Sequence, residues 1–314
     1  MLRMLDGIQG EYLEELLRSG KVKDVYAAGE DELEFVFSNR ISVFDKIIPS
    51  EVPYKGETLC RTSAYWFGVL EKLGIQTHFI KLTPPNRMRV KRVNVVPDYS
   101  QLGSNSKNYL IPLELVTRYF VYGSLWDRVR NGTVKPEQLG FASGHEVKLA
   151  EPLPDPFFEV TTKLEKVDRN LSTEEALKIS AMSNDEYEQM RELCFKIDDQ
   201  INSRVKRHGL IHVDGKKEFA FDGDRAFMVV DTFGTPDEDR FWDSAEFDNG
   251  KYVERSKEFV RQFYRDSGYH SRLMSAREHG DAEPPIPALP QDTISQVSRI
   301  YIKLFEDITG ESFR

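Results

Sequence analysis

The sequence predicts an α+β protein of two lobes, a small antiparallel lobe at the N-terminus and a larger mixed lobe after it, with a cleft between them. Short runs that alternate apolar and polar residues indicate paired strands, and longer runs with apolar residues at helical spacing indicate helices. The 314 residues are 39% hydrophobic and 30% charged, which is typical of a globular chain of one to three domains. We expect residues 1–96 to form the first lobe, 97–255 the second, and 256–314 a helical segment packed on the second.

Composition excludes several classes of protein. The net charge of −9 and a pI near 5.4 disfavour nucleic acid as a partner. No apolar run approaches the ~20 residues that span a bilayer, and the N-terminus lacks the apolar stretch of a secretory signal, so we expect no membrane partner and a cytoplasmic address. Cys60 and Cys194 fall in predicted helices, where we expect reduced, buried thiols. The six histidines show no metal-ligand spacing.

The first lobe begins with an expected short amphipathic helix at residues 10–18. Residues 20–26 and 32–37 alternate like two strands of a hairpin. A helix is predicted at 58–73, ending at Gly74, and strands follow at 77–82 and 87–95.

The second lobe begins with a polar, turn-rich surface loop at residues 97–108. A strand at 109–120 and a helix at 124–130 follow. Three prolines between residues 151 and 158 predict irregular structure there, and a long helix is expected at 184–208. The C-terminal segment is predicted to contain a helix at 256–277, a proline-rich crossing at 283–290 and a final helix at 292–308.

The most informative segment is residues 212–231, which the dipeptide Asp222-Gly223 divides into two strand-like halves. With a two-residue turn there, alternation places four charged side chains on one face: Asp214, Lys216, Glu218 and Asp231. It places four apolar side chains on the other face, against a core: Val213, Phe219, Met228 and Val230. A four-residue loop keeps this arrangement, whereas a three-residue loop turns Asp231 to the wrong side.

Such a charged face favours magnesium-triphosphate chemistry. Crowded carboxylates repel each other, and Mg²⁺ prefers hard oxygen ligands from one or two carboxylates together with phosphate oxygens. Lys216 would complement the phosphates directly. A hairpin whose polar face is simply solvated is the alternative.

Two N-terminal segments carry further candidates. Residues 19–26 contain Gly20, Lys21 and Lys23, where a glycine lets the backbone approach a phosphate and both lysines point to one side; an ordinary exposed strand is the alternative. Residues 39–45 contain Arg40, Ser42 and Asp45 in an expected loop, where they either bind a substrate or form a turn.

Three later segments complete the set. In residues 110–124, Arg118 and Ser124 are suited to an anion, since arginine offers a planar fork; a structural pair between Glu114 and Arg118 is the alternative. Lys163 lies in an expected loop, either facing a carboxylate or phosphate or solvated. Residues 235–242 predict a turn in which Arg240 stands beside two aromatic residues.

These segments, in this order, resemble the SAICAR synthetase (phosphoribosylaminoimidazole-succinocarboxamide synthase) family. Residues 110–124 are similar to the family's Pro-hydrophobic-Glu start, its arginine and its Gly-Ser end, and residues 213–220 to its Asp-x-Lys-x-Glu-Phe-Gly pattern. Four shorter patterns support them: Gly-Lys-x-Lys-Asp-x-Tyr, Arg-Ile-Ser-x-Phe-Asp, Thr-Lys-x-Glu and Pro-Asp-x-x-Arg-Phe-Trp. The resemblance runs from residue 20 to about 242 and implies an ATP-grasp-like or kinase-like arrangement with a nucleotide cleft between the lobes.

Five residues depart from the family pattern. Tyr122 stands where the family has a small residue, Lys217 where it has an apolar residue and Ala220 where it has a glycine. Thr232 stands where the family has an acid, and Asp239 where it has a serine. The loop at 97–108 resembles an insertion relative to shorter members.

The resemblance implies an ATP-dependent ligase that joins L-aspartate to the carboxylate of carboxyaminoimidazole ribonucleotide through an acyl phosphate. It implies ATP and Mg²⁺ as cofactors, with Glu218 and Asp231 as the metal ligands and the adenine near residues 88–93. The residues expected to bind ATP are Lys21, Lys23, Lys91, Val93, Lys216, Glu218 and Asp231.

The resemblance also implies the sites of the other two substrates. The ribonucleotide phosphate is expected on Arg118, Ser124 and Arg240, the imidazole near Asp214, and L-aspartate near Lys163. The complete set expected to bind these substrates is Arg40, Ser42, Asp45, Glu114, Arg118, Ser124, Lys163, Asp214 and Arg240. Lys216, Asp214 and Arg118 are the residues expected to be catalytic.

Two other functions remain open at the level of sequence. One is an amide ligase with a different amine or carboxylate substrate, because Tyr122, Thr232 and Asp239 depart from the family. The other is a nucleotide-binding protein without turnover. The sequence leaves the oligomeric state open, a homo-oligomer included.

Overall fold

The computed structural model describes residues 15–314, and within that range it contains thirteen strands and eight α-helices. The strands are β1 Leu16–Ser19, β2 Lys23–Ala27, β3 Glu32–Phe37, β4 Arg40–Val43, β5 Lys46–Glu51, β6 Phe79–Thr83, β7 Arg87–Lys91, β8 Tyr109–Leu110, β9 Leu113–Phe120, β10 Pro152–Thr162, β11 Leu210–Phe221, β12 Phe227–Val230 and β13 Asp239–Asp243. The helices are α1 Lys55–Lys72, α2 Ser124–Arg130, α3 Thr173–Ser180, α4 Asn184–Lys206, α5 Ser244–Asp248, α6 Glu258–Asp266, α7 Tyr269–His279 and α8 Gln291–Thr309.

Two sheets carry the α+β architecture that the sequence predicts. The first is antiparallel, in the order β1-β2-β3-β7-β6, and α1 packs against it. The second has the order β10-β9-β11-β12, with β8 and β13 also paired to β11. The twelve-residue strand β11 thus pairs with four other strands and forms the centre of the larger sheet. The bounds of the three predicted domains stay a prediction.

Most predicted elements are confirmed. The first hairpin is β2 and β3, the predicted strands at 77–82 and 87–95 are β6 and β7, and the long helices are α1, α4 and α8. Cys60 and Cys194 are free, buried thiols in α1 and α4. The strand predicted at 109–120 is interrupted at Ile111 and Pro112, between β8 and β9. Among the described residues, no helix is both long and apolar enough to cross a membrane.

The helix predicted at residues 10–18 is wrong in its described part. Residues 16–19 form β1, which pairs with β2 through Leu16 opposite Tyr26 and Ser19 opposite Asp24. Every side chain of β1 is exposed. Its apolar residues therefore bury no face against a core, and such burial is what stabilises an amphipathic helix. Residues 10–14 lie outside the described residues.

The proline-rich segment at 151–158 is also a strand, against expectation. β10 lies at the edge of the second sheet and pairs only with β9, and its register shifts between Pro152 and Phe157. Prolines are tolerated at an edge or an irregularity, because no partner there needs their missing N–H groups.

Three smaller predictions need correction. Residues 39–45 were expected to form a loop, but they include β4 and a tight turn in which Phe44 and Asp45 both have positive φ. The helix predicted at 256–277 is divided into α6 and α7 at Gly268, whose φ of 70° ends the helical conformation. The turn predicted at 235–242 continues into β13.

The register predicted for the central hairpin is wrong. Phe221 pairs with Phe227 and Glu218 with Val230, so the loop has five residues rather than two. Met228 and Val230 therefore share the face of Ala220, and they pack there with Val93 and Leu110. Four apolar residues of the hairpin were predicted to share one face against the core. Of these, Phe219 alone lies in the main core, together with Val229 and Phe221.

Asp231 joins the charged face although the hairpin register differs from the predicted one. The strand β12 ends at Val230, so Asp231 is released from the alternation of the ladder. Its φ of 62° lies in the left-handed region, and its carboxylate is near Lys216 and Glu218. The backbone turn at Asp231 thus brings its carboxylate to the other charged side chains, as the predicted register would have done.

A buried ion pair connects α1 to the loop before β13 and to the C-terminal helix. The Lys55 ammonium lies 2.8 Å from the Asp237 carboxylate, and both side chains are almost fully enclosed. The hydroxyl of Tyr301 from α8 donates to the same carboxylate, and Lys257 lies 3.5 Å from it. Burial alone would raise the pKa of Asp237, but Lys257 and Lys55 hold that pKa well below its usual range.

We expect Lys55→Met to lower the free energy of unfolding by about 3 kcal/mol, because it leaves a buried carboxylate short of its partner. Lys72→Met, at the exposed end of the same helix, should change it by no more than about 0.5 kcal/mol. Denaturant unfolding of both variants beside the wild type measures the difference. Equal midpoints for the two variants would show that the buried pair does not stabilise the fold.

Candidate active site

A cluster of lysines and carboxylates forms where β9, β11 and the loop after β10 meet. The Lys216 ammonium lies 2.9 Å from Glu114, 3.1 Å from Glu218 and 3.2 Å from Glu238. Lys163 follows β10 and lies 2.5 Å from the second oxygen of Glu218. Strand pairing explains the assembly, because Lys216 stands opposite Val116 on β9, two residues from Glu114 and on the same face of the sheet.

Asp231 and the first lobe complete this cluster. Lys23 of β2 forms an ion pair with Asp231 and lies 4.6 Å from the centre of the Phe35 ring. Burial alone would raise the pKa of Asp231, but Lys23, Lys163 and Lys216 hold that pKa well below its usual range. The same balance, dominated by Lys163 and Lys216, lowers the pKa of Glu218. Both carboxylates are therefore ionised.

A second cluster is built from arginines. Arg118 of β9 donates to Asp214 at 3.1 Å and to the Ser124 hydroxyl at 3.1 Å, and Arg240 of β13 donates to the same Asp214 oxygen at 2.6 Å. Asp214 pairs with both strands in the sheet, opposite Arg118 on one side and Arg240 on the other. One carboxylate thus holds two guanidinium groups side by side.

Gly123 makes room for the Arg240 guanidinium. A Cβ atom at this position would lie 2.7 Å from Nη2 and 2.9 Å from Cζ of Arg240, and the glycine φ is 57°. Both the close approach and the backbone conformation require glycine.

A cavity of about 150 Å³ connects the two clusters. Polar and charged side chains dominate its lining, with Arg118, Ser124, Asp214, Lys216, Glu238, Arg240, Ser256 and Arg261 among them. Lys216 belongs to the first cluster and Arg240 to the second, so the cavity lies between the two groups of predicted site residues.

The structure adds residues that the sequence did not single out. Glu159 of β10 accepts from Arg118 at 2.7 Å and from Arg128 at 2.5 Å. Glu258 is fully buried at the start of α6 and accepts from Arg240 at 3.1 Å and from Arg261 at 2.8 Å. Glu159 has no local sequence signal, and the signal for Glu258 is the helical spacing of acid and arginines in α6, which is common on solvated helices.

Several predicted residues have other partners. Arg40 donates to Asp24 at 2.6 Å and to the Gly20 carbonyl at 3.0 Å, so it fixes the turn that precedes β2. Lys21 pairs with the exposed Asp45 at 2.6 Å. The alternative of a structural pair between Glu114 and Arg118 is wrong, because each residue has different ionic partners.

Three predicted residues are placed without a polar contact to either cluster. Ser42 is buried in β4. Lys91 is exposed at the end of β7, opposite Glu32, and Val93 packs on the β11–β12 hairpin. Their roles in binding stay predictions.

Tyr122 forms part of the wall behind Arg240. Its ring lies 5.8 Å from the guanidinium carbon of Arg240 and meets the Trp242 ring edge to face at 4.9 Å. Glu254 accepts a hydrogen bond from the Trp242 indole at 2.8 Å. Burial and the neighbouring Glu258 raise the pKa of Glu254 to about 7.

A larger groove of about 940 Å³ lies along α8, between Leu210 and Ile300, and contains none of the predicted site residues. Its size does not identify it as the active site, since the ionised groups that suit a nucleotide and an anionic substrate converge on the smaller cavity.

The two-lobed fold and the paired clusters define an enzyme that handles a nucleotide together with an anionic substrate. Comparisons with known proteins agree with this class. The family model described as SAICAR synthetase matches residues 16–275. A phosphoribosylaminoimidazole-succinocarboxamide synthase of Thermoplasma volcanium is 54% identical over 298 residues, which are 95% of this chain and 99% of the relative.

More distant relatives give the same result. The Saccharomyces cerevisiae enzyme of that name is 30% identical, over 95% of each chain. A solved structure of the Saccharomyces cerevisiae SAICAR synthase in complex with SAICAR superposes with a TM-score of 0.71 at 25% identity and covers 99% of both chains.

The chain belongs to the SAICAR synthetase family. It is a carbon–nitrogen ligase of purine biosynthesis that joins L-aspartate to carboxyaminoimidazole ribonucleotide with ATP. The alternative of a nucleotide-binding protein without turnover is thereby not supported.

We expect Glu254 to make stability depend on pH. Its pKa of about 7 lies above the ordinary value of 4.5, so its contribution is complete below pH 4.5 and is lost as the pH rises through about 7. Glu254→Gln stays neutral, so its free energy of unfolding relative to wild type should rise by roughly 3 kcal/mol between pH 4 and pH 8. Denaturant unfolding across this range is the measurement. Parallel profiles of the two proteins would contradict the expectation.

Proposed function

We propose that the ligation proceeds through an acyl phosphate formed in the cavity between the two clusters. A carboxylate is a poor acyl donor, because an oxide would have to leave. One oxygen of the ribonucleotide carboxylate attacks the γ-phosphorus of ATP, and ADP departs. The amine of L-aspartate then attacks the acyl carbon, phosphate leaves, and the amine loses a proton to form the amide. Positioning and charge compensation are the main contributions available to the protein.

The observation that carries this proposal is the position of Lys216. Its ammonium contacts Glu218 of the lysine and carboxylate cluster, and its side chain lines the same cavity as Arg118 and Arg240. A phosphate chain held by the first cluster would therefore end beside a substrate held by the second.

Glu218 and Asp231 are suited to hold Mg²⁺. Both are ionised and can only accept, Glu218 is buried and Asp231 half-buried, and three ammonium groups already compensate their charge. When bound, the ion would neutralise charge on the transferred phosphoryl group.

Around that ion, the lysines of the first cluster have separate roles. Lys23 and Lys216 flank the two carboxylates and would bind the nucleotide phosphates. Lys21, in the turn before β2, would bind them from the exposed side. Lys163 contacts Glu218 and has its pKa raised by that carboxylate despite its burial, so it stays charged and would attract the acidic co-substrate.

The arginine cluster would bind the ribonucleotide. Arg118, Ser124 and Arg240 present donors to one side of the cavity, which suits a phosphate. Asp214 holds both guanidinium groups and would orient the imidazole. Arg261 lines the same cavity and adds a third guanidinium.

A coupled assay of ADP release tests whether both substrates are needed for ATP turnover in this site. We expect release only when carboxyaminoimidazole ribonucleotide and L-aspartate are both present, and little release with other amino acids. Release with another amine and none with L-aspartate would contradict the placement of L-aspartate beside Lys163.

Glu218→Gln and Asp231→Asn should each lower ATP turnover by about 10²-fold or more, because the metal and phosphates lose their alignment. Circular dichroism should show that both variants remain folded. Asp224→Asn, in the exposed hairpin loop, is the matched control and should keep full activity. Wild-type turnover in either site variant would remove the metal assignment.

Gly123→Ala should raise the KM for the ribonucleotide by about tenfold or more, since the added methyl group displaces the Arg240 guanidinium. The KM for ATP should change much less, because Gly123 contacts no residue of the lysine cluster. Steady-state kinetics with each substrate varied in turn measure both constants. An equal rise in both KM values would indicate a general disturbance of the fold instead.

A further inference from the structure

Two of the residues that depart from the family pattern meet inside the protein. Lys217 and Asp239 are fully buried, and the Lys217 ammonium lies 3.9 Å from the Asp239 carboxylate. Lys217 also forms an ion pair with Asp198 of α4, whose other oxygen accepts from the Tyr119 hydroxyl at 3.1 Å. His212 completes the group, 2.8 Å from Asp239. We call these four residues, Asp198, His212, Lys217 and Asp239, the buried charge cluster.

The buried charge cluster lies directly behind the substrate cavity. On β11, Lys216 lines the cavity and its neighbour Lys217 points to the opposite face, towards α4. On β13, Arg240 contacts the cavity residue Asp214, and its neighbour Asp239, which borders the same cavity, turns its carboxylate towards Lys217 and His212. Strand alternation thus gives β11 and β13 one charged layer on each face.

A register shift between His212 and Asp214 brings His212 into the rear layer. Without it, His212 would share the face of Asp214, because both positions are even. The ring stacks on Phe241 at 5.3 Å, and its other nitrogen lies 2.9 Å from the side-chain oxygen of Asn202 in α4. An irregularity that redirects a side chain is typical of strands near an active site.

Asp239 has little freedom to move. One of its oxygens accepts from the Gly234 amide at 2.9 Å, and the other faces His212. The carboxylate also lies against Gly215, where a Cβ atom would be only 2.2 Å from it. Asp239 therefore fixes the backbone at Gly215, which lies between the site residues Asp214 and Lys216, and it directly precedes Arg240.

We propose that Lys217 and Asp239 are positioning residues for the ribonucleotide site: their buried pairing holds β11 and β13 together so that Asp214, Lys216 and Arg240 keep their places in the cavity. This inference rests on the proposed function, in which Arg240 binds the substrate phosphate. The two residues act through their neighbours on the strands.

Charge balance explains why the pairing matters. In this fully buried group, Lys217 faces the carboxylates of Asp198 and Asp239, and Asp239 also faces His212. Removing Lys217 leaves two buried carboxylates without an ammonium group, and removing Asp239 takes one carboxylate away from Lys217. Removing one partner of a buried ion pair is strongly destabilising.

The experiment compares Lys217→Met, Asp239→Ser and the double variant. Each single variant should raise the KM for the ribonucleotide by about tenfold and leave the KM for ATP within about twofold, because the shift falls on Arg240 and Asp214. The double variant should be no more impaired than the worse single variant, because both substitutions remove the same pairing, whereas independent losses would add. Lys196→Met and Asp199→Ser, at exposed positions of α4, are the matched controls and should behave as wild type.

Arg240→Gln separates this inference from the proposed function. If Arg240→Gln leaves the KM for the ribonucleotide unchanged, the assignment of the phosphate site fails. If Arg240→Gln raises that KM and the single variants of the buried charge cluster lower only the unfolding midpoint, the positioning role is overturned and the phosphate site stands. A double variant as impaired as the two single losses combined would overturn the role of charge balance.

Discussion

The rest of the site depends on the neutralisation of the Lys216 ammonium group by three carboxylates. Its three carboxylate partners come from β9, β11 and the loop before β13. A half-buried charge is stabilised by neutralisation, and these contacts bring together segments that more than a hundred residues separate, from Glu114 to Glu238. The same kind of contact joins Lys23 of the first sheet to Asp231. Charge neutralisation therefore links the two sheets at the candidate site.

The sequence predicted that several charged side chains would converge but not the geometry by which they do so. Alternation and turn residues located β2, β3, β7, α1, α4 and α8, because these elements follow local rules of periodicity. The grouping of Glu218 with Asp231 was predicted through a hairpin register that does not occur. The left-handed backbone at Asp231 restores the grouping, and nothing in the local sequence indicates a positive φ at an aspartate after four apolar residues.

What remained unpredictable arises from contacts between distant segments. Glu159 looks like any strand glutamate until β10 pairs with β9 and places it beside Arg118. Glu258 belongs to a helix rich in acids and arginines, and only packing against β13 distinguishes it from a solvated residue. The prediction of irregular structure at the prolines of β10 was wrong for a related reason. A strand tolerates prolines at the edge of a sheet, and the sequence does not specify which strand lies at the edge.

The hydrogen bond from Tyr301 to Asp237 has a consequence for local unfolding. The loop that carries Glu238 and leads into Arg240 is held by a hydroxyl group from α8, a helix that lines neither side-chain cluster. Opening of α8 alone would remove this anchor, so fraying of that helix would loosen both side chains beside the cavity.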